Sequence, residues 1–391
     1  MTRRFALTWP LSEIHGWGLV GVHTALYLTA QGMRPLLLDA PMMDSLRPEN
    51  RAALQPLQDE HHRYMEAAAA YGDSTIVIPD ADVLHALGNG FVTGEPSRRF
   101  RGHRNIGVIA FEDTRFDAEV LARARAFDRI VVHSTYNRDL LLEQGFDAVG
   151  LAFQGVDPTE MRPLPPSGRF GDRFVVFSGG KLEYRKGQDI VLMAFRAFQQ
   201  RHPEALLVTA WQSPWPEVAF TIADSQLTRT PPDIGPDGRL QVVEWAARYG
   251  LPAGSVVDLG LVGRADIAAV MADCHAAVFP NRCEGATNLV AMEAMGCGVP
   301  VVLSANTGHL DLIGPAEEPR CWPLTKQTQL FHKGDRKGWK ESSVNELVAH
   351  LEAIHADREE AKRRADRALA FIQGERTWTH FAKSFVEACG A

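Results

Sequence analysis

Short apolar runs alternate with segments of helical periodicity along most of this chain of 391 residues. Residues 5–8 (FALT) predict a strand. A Gly loop follows, then an amphipathic helix marked by Val20, His23, Thr24, Tyr27 and Leu28, a Gly stop and a second strand. That order is a strand–helix–strand opening. Residues 47–72 carry a charged, Ala-rich helix pattern, STIVIP and ADVLHAL predict two strands, and NIGVIAF predicts another. Pro158, Pro163, Pro165, Pro166 and Gly168 mark a linker. Beyond it, FVVFS runs into Gly179-Gly180 and a basic turn. An amphipathic helix (Ile190, Val191, Met193, Ala194, Phe195, Phe198) and another strand come next. Residues 211–245 are loop-rich and read as an insertion or lid edge. Residues 341–372 predict amphipathic helices with a charged, solvated face, and a last helix aligns Trp378, Phe381 and Phe385 on one side.

The densest pattern is 279–302, FPNRCEGATNLVAMEAMGCGVPVV, which predicts strand, tight turn, short helix, Gly turn and strand. Gly285 opens the turn, and Thr287 or Asn288 can cap the helix. Glu284 falls in the turn. Glu293, four residues after Leu289, falls beside the buried face, where a carboxylate needs partners. A vicinal diol would supply two donors to it. The helix start at Thr287–Leu289, with Gly285 and Ala286 before it, offers backbone N–H groups to a phosphate. A diol and a phosphate together make a nucleotide.

The length predicts two domains. Hydrophobic content of 45% beside 23% charged residues is that of a globular protein, and a net charge of −7 argues against a nucleic-acid partner. Five cysteines without a C-x-x-C pair read as free thiols in a reducing compartment, and no apolar run approaches a membrane span, so a cytoplasmic location is expected. His61 and His62 read as solvated, and His275 as a satisfied core histidine. Asp80-Ala81-Asp82 reads as a strand-entry turn, and no metal site is expected. His15-Gly16-Trp17-Gly18 allows close backbone approach to a ligand but is not a dinucleotide fingerprint. The run Arg98, Arg99, Arg101, His103, Arg104 reads as a loop, either solvated or meeting an anionic acceptor or a membrane surface.

The segment 279–302 resembles the glutamate signature of family 4 GT-B glycosyltransferases, which are retaining enzymes that bind a sugar nucleotide there. Eight residues separate Glu284 from Glu293, where that family usually has seven. By this resemblance Glu293 holds the ribose and Glu284 the donor sugar or phosphate. Gly180 and Lys181 followed by Lys186-Gly187 are similar to the family's diphosphate loop, whose cations stabilise the departing nucleoside diphosphate without a metal. Arg185 is expected to point away or to pair with Glu183. Gly16 and Gly18 fall where the family has a Gly-rich loop facing the donor phosphates, and Arg264 lies in the turn that faces the nucleobase. Glu112 stands where many members have a histidine, with Asp113 beside it. Glu112 would bind a sugar hydroxyl, shield a cationic carbon, or cap the next helix. His85, near the end of its strand, joins Glu112 and Glu284 around the sugar. NTGHLDLI resembles the family's GG..E loop, with His309 where a glycine is frequent.

The resemblance implies an α/β GT-B fold: two facing Rossmann-like doubly wound domains with an interdomain cleft. The expected bounds are 1–165 on the acceptor side, 166–370 for the nucleotide sugar, and a helix at 371–391 returning to the first domain. It implies glycosyl transfer from a nucleoside-diphosphate sugar, UDP or GDP, to a glycan, glycolipid or other small molecule, with no cofactor and with peripheral membrane contact left open. The alternatives are a non-catalytic GT-B-like nucleotide- or partner-binding subunit and a GT-B sugar-nucleotide epimerase.

Overall fold

The computed structural model describes residues 4–331 and 334–390. In chain order the first half forms β1 (Arg4–Leu7), α1 (Gly16–Ala30), β2 (Leu36–Leu37), α2 (Pro48–Ala69), β3 (Ile76–Gly88), β4 (Val92–Thr93), α3 (Glu95–Arg99), β5 (Phe100–Ile109), α4 (Ala118–Ala124), β6 (Arg129–Val132), α5 (Thr135–Glu143) and β7 (Val149–Leu151). The second half forms β8 (Val175–Gly179), α6 (Gln188–Gln199), β9 (Leu206–Ala210), α7 (Val242–Arg248), β10 (Val256–Asp258), α8 (Arg264–Met271), β11 (Ala276–Phe279), α9 (Leu289–Gly296), β12 (Val301–Ser304), α10 (Leu310–Ile313) and β13 (Trp322–Leu324). A hairpin of β14 (Gln327–Gln329) and β15 (Lys340–Ser342) precedes α11 (Val344–Ala356), α12 (Arg358–Glu375) and α13 (Trp378–Ala388).

The chain divides into two compact units. One comprises residues 1–155, 334–336 and 376–391; the other comprises 156–333 and 337–375. The breaks fall at 155/156 and 375/376, against the 165/166 and 370/371 expected from sequence.

In the first unit the sheet runs β2-β1-β3-β5-β6-β7, all parallel, with β4 antiparallel on β3. The two strands expected at 74–87 are a single long strand whose register on β5 shifts between Ile78 and Asp82. The D-x-D triplet sits in that irregularity, and Asp82 is taken by Arg104, whose Nε donates to Oδ1 at 3.1 Å. The basic run is therefore helix and strand instead of loop. Arg98 pairs with Glu95, Arg99 donates to the Ala68 carbonyl at 2.8 Å, and Arg101 donates to the Phe100 carbonyl at 2.8 Å. His61 is buried, its Nδ1 donating to the Leu37 carbonyl at 2.8 Å, which corrects its reading as solvated.

α13 belongs to this unit. Its Trp378 ring stacks on His23 of α1 at 4.5 Å, and Phe381 and Phe385 lie against the buried His133 ring. Two glycines let it seat. A Cβ on Gly150 would lie 2.5 Å from the Ala388 carbonyl oxygen, and one on Gly155 would lie 2.2 Å from the Thr377 carbonyl carbon.

The second unit has six parallel strands in the order β10-β9-β8-β11-β12-β13. This is the doubly wound order, with its topological switch between β8 and β11. Much of 211–245 is exposed, but the segment is anchored: Trp211, Ile222 and Trp245 are fully buried with α6 and α11 in one apolar cluster. Trp211 directly follows β9, Ile222 lies in a 3-10 helix and Trp245 in the short α7, elements too short to show a repeat. His275 stacks on Phe174 and its Nδ1 accepts from the Val175 N–H at 3.1 Å, as a satisfied core histidine does.

Gly150→Ala and Gly155→Ala should each lift one end of α13, costing about 1–3 kcal/mol as overpacking does. Thermal unfolding followed by the near-ultraviolet signal of Trp378 reads this. An unchanged midpoint for both variants would contradict the seating of α13 on bare backbone.

Candidate functional site

Three loops leave the C-terminal ends of β8, β11 and β12, which are neighbours in the sheet. The loop after β8 turns on Gly180 at φ +103, makes a 3-10 turn over Tyr184–Lys186, and enters α6 through Gly187 at φ +72. Gly187 is required twice over, since a Cβ would also lie 2.3 Å from the Pro280 carbonyl oxygen. The amide of Gln188 braces this loop: Nε2 donates to the carbonyls of Gly180 (3.2 Å) and Lys181 (3.0 Å), and Oε1 accepts from the Glu183 N–H.

The loop after β11 carries Glu284, which is buried and gathers the cations. Lys186 Nζ lies 2.5 Å from Oε1 and Arg185 Nη1 lies 2.9 Å from Oε2, while Asn281 donates to Oε1. Burial alone would raise this carboxyl, but Lys186 and Arg185 overcome it and hold the pKa at about 2. Arg185 also grips Glu183 at 2.7 Å, and Lys181 lies 3.7 Å from Glu183. Arg185 is thus a bridge between two acids, not a side chain turned away. Three cations and two carboxylates leave the cluster one positive charge, with Lys181 its more exposed ammonium.

Beneath the cluster, Arg282 is completely buried. Its guanidinium forks onto Asp189 of α6 at 2.8 and 2.6 Å, donates to the Tyr184 carbonyl at 2.7 Å, and reaches Glu341 at 2.7 Å. Sequence reasoning passed over Arg282, Asp189 and Gln188. An arginine three residues past an all-apolar strand, and an acid in the first turn of an amphipathic helix, were the available signals.

The loop after β12 closes on the turn from behind. Gly308 N–H donates to the Glu284 carbonyl at 3.1 Å, Thr307 Oγ1 accepts from the Glu284 N–H at 2.9 Å, and a Cβ on Gly308 would lie 1.6 Å from the Ala286 oxygen. Asn288, left-handed at φ +67, caps α9 by accepting from the Ala291 N–H. Thr287, the other candidate cap, donates to the Met292 sulfur at 3.2 Å. The Asn288 amide also donates to His309 Nε2 at 3.0 Å. That fits an imidazole whose pKa burial lowers to about 4, leaving it neutral and accepting. Gly285 is buried, and Ala286 and Leu289 are half-buried at the start of α9.

Glu293 is buried on α9, and the partner its burial requires is in the chain itself: Arg264, the first residue of α8, donates to Oε1 at 2.9 Å and approaches Glu160 at 3.6 Å. Burial still leaves the Glu293 pKa raised. The Arg264 side chain therefore serves Glu293.

Other expected residues lie in the first unit. Gly16 and Gly18 form the first turn of α1 instead of a loop; His15 caps that turn, accepting from the Gly18 N–H at 3.0 Å. A Cβ on Gly18 would strike Ser12, so that glycine serves packing. His85 is fully buried, bonded to Asn105 at 3.0 Å and packed on Phe127, with burial lowering its pKa to about 4. It is a core residue, not a surface one. Glu112 and Asp113 follow β5 half-buried, their N–H groups donating to Asn89 Oδ1 at 2.9 and 3.2 Å. The cap of α4 is Asp117, which accepts from the Val120 N–H at 2.9 Å, so Glu112 has no capping duty.

The two doubly wound units define the GT-B fold. Solved structures agree over nearly the whole chain. Sucrose-phosphate synthase from Thermosynechococcus elongatus superposes with a TM-score of 0.67 at 15% identity, covering 98% of each chain. HepE from Anabaena, in complex with UDP and glucose, gives 0.68 at 15% identity over 99% of each chain. A glycosyltransferase from Rickettsia africae gives 0.65 at 10% identity, covering 100% of this chain and 98% of that one. No curated protein sequence matches. Residues 262–385, which hold α8, Glu284 and α9, match the family model described as family 4 glycosyltransferase in conflict systems. The structural likeness is one of fold, GT-B, and the family match covers the larger part of the second unit's C-terminal half. No helix among the described residues is long and apolar enough to cross a membrane.

Glu284 contributes stability that is complete above its unfolded pKa of 4.5 and is lost as pH falls through about 2. Glu284→Gln should destabilise the chain by on the order of 3 kcal/mol at pH 7, as breaking a buried pair does. The difference from the unsubstituted chain should shrink as the pH falls from 4.5 toward 2. Urea titrations across that range read it, and a difference independent of pH would contradict the pairing.

Proposed function

We propose that the chain transfers a glycosyl group from a nucleoside-diphosphate sugar to a glycan, glycolipid or other small acceptor, with retention and without a metal. The observation that carries this reading is the cation cluster at the topological switch of the second unit, where doubly wound sheets bind ligands. Lys181 and Lys186 receive the diphosphate, together with backbone N–H groups at the start of α9. Arg185 holds Glu284 when Lys186 turns to the ligand, so the acid is never left buried and unpaired. Glu293 binds the ribose hydroxyls, with Arg264 fixing its carboxylate. Charge building on the departing diphosphate strengthens its contacts with both lysines, which is transition-state stabilisation. Glu112 and Asp113 serve the sugar or the acceptor. UDP is the favoured nucleotide, because the similar HepE structures are complexes with UDP and UDP-glucose. A cytoplasmic enzyme fits this donor chemistry.

Lys186→Ala should weaken UDP-sugar binding by about 10- to 100-fold, the loss of one charge-assisted bond of about 1.5–3 kcal/mol. Glu293→Gln should weaken UDP binding while sparing inorganic diphosphate. Calorimetric titration of both variants with each ligand checks this; unchanged affinities in both would overturn the assignment.

A further inference from the structure

A second cluster lies at the opposite, N-terminal end of the parallel strands of the same sheet. His202 and Glu204 occupy the turn between α6 and the start of β9, whereas the cation cluster follows the far end of β8. His355 reaches them from the last turn of α11. His202 Nδ1 lies 3.7 Å from Glu204 Oε1, His355 Nε2 lies 3.6 Å from the same oxygen, and one donor atom from each residue falls within 4.8 Å of the others.

We propose that His202, Glu204 and His355 bind a divalent transition-metal ion of the Zn2+ class, with water in the fourth position. Four observations support it. A direct N–H···O bond would draw nitrogen and oxygen to about 2.7–3.2 Å. A tetrahedral ion with bonds of about 2.0–2.1 Å instead sets its ligands about 3.3–3.4 Å apart. Both His–Glu separations are nearer the second spacing.

The orientation of the His202 ring is also set. A carboxylate only accepts, so Nε2 donates to Glu352 Oε2 at 2.8 Å. With Nε2–H given to Glu352, Nδ1 on the Glu204 side is the nitrogen that a bound ion would take, a ligand backed by an outer carboxylate. Glu352 is itself held by Arg201 at 3.0 Å.

The rings are placed by packing. His202 lies 4.4 Å from the Phe198 ring, and His355 meets Phe174 edge-on at 4.9 Å. Both phenylalanines are buried. Finally, two imidazoles and a carboxylate suit Zn2+ better than Mg2+ or Ca2+, which take oxygen. The ion would staple the turn after α6 to the end of α11 and take no part in sugar transfer.

Calorimetric titration of the metal-free full chain with ZnCl2 should show one equivalent bound. Co2+ should give the intense visible absorption of a tetrahedral site. His202→Gln and His355→Gln should each abolish this signal, and Glu204→Gln keeps the test open if either imidazole variant misfolds. Glu352→Gln should weaken binding by about 10- to 100-fold. His62→Gln, at an exposed histidine on α2, should leave it unchanged. Absence of stoichiometric binding, or binding that survives the three ligand substitutions, would overturn the proposal.

Discussion

The second unit depends on one buried acid. Glu284 stands where the loop from β11 meets the loop from β8, and its two oxygens are divided between Lys186 and Arg185. A lone carboxylate at that depth would cost more than the fold could repay, so the cations are obligatory. They are adjacent residues of one 3-10 turn, and a single acid therefore fixes the whole basic loop. The same arrangement that lets the chain fold leaves positive charge at the sheet's switch point. Stability and anion affinity come from the same atoms.

Arg282 makes the arrangement rigid. Its fork onto Asp189 ties the glutamate loop to the first turn of α6, and its bond to the Tyr184 carbonyl holds the 3-10 turn from below. The third loop adds Gly308, whose bare backbone lies against Ala286 and leaves no room to shift. Glu293 is anchored separately by Arg264. Glu284 and Glu293 thus sit on independent supports, which fixes the separation of the two acids.

Much of this was legible in the sequence. The strand–turn–helix pattern around Glu284 and Glu293, the Gly turn with Lys181 and Lys186, and two α/β halves all follow from periodicity and turn chemistry. The pairings that were missed share a cause: pattern reading cannot see a polar residue's partner when that partner is distant in sequence. Arg264 answers Glu293 from 29 residues away, Arg104 answers Asp82 from 22, and Asn105 answers His85 from 20. None of these pairings leaves a local trace. Trp211 and Trp245 left little trace for a different reason, since the residue after β9 and the short α7 offer too few positions for a repeat.

The central claim is that the cluster around Glu284 is the diphosphate seat. The most direct measurement is a crystal structure of the chain with UDP-glucose. The account predicts the diphosphate between the loop 180–187 and the start of α9, with Lys186 Nζ turned from Glu284 toward a phosphate oxygen and Arg185 still on the acid. A diphosphate bound away from both loops, or a Lys186–Glu284 pair unchanged beside it, would contradict the account.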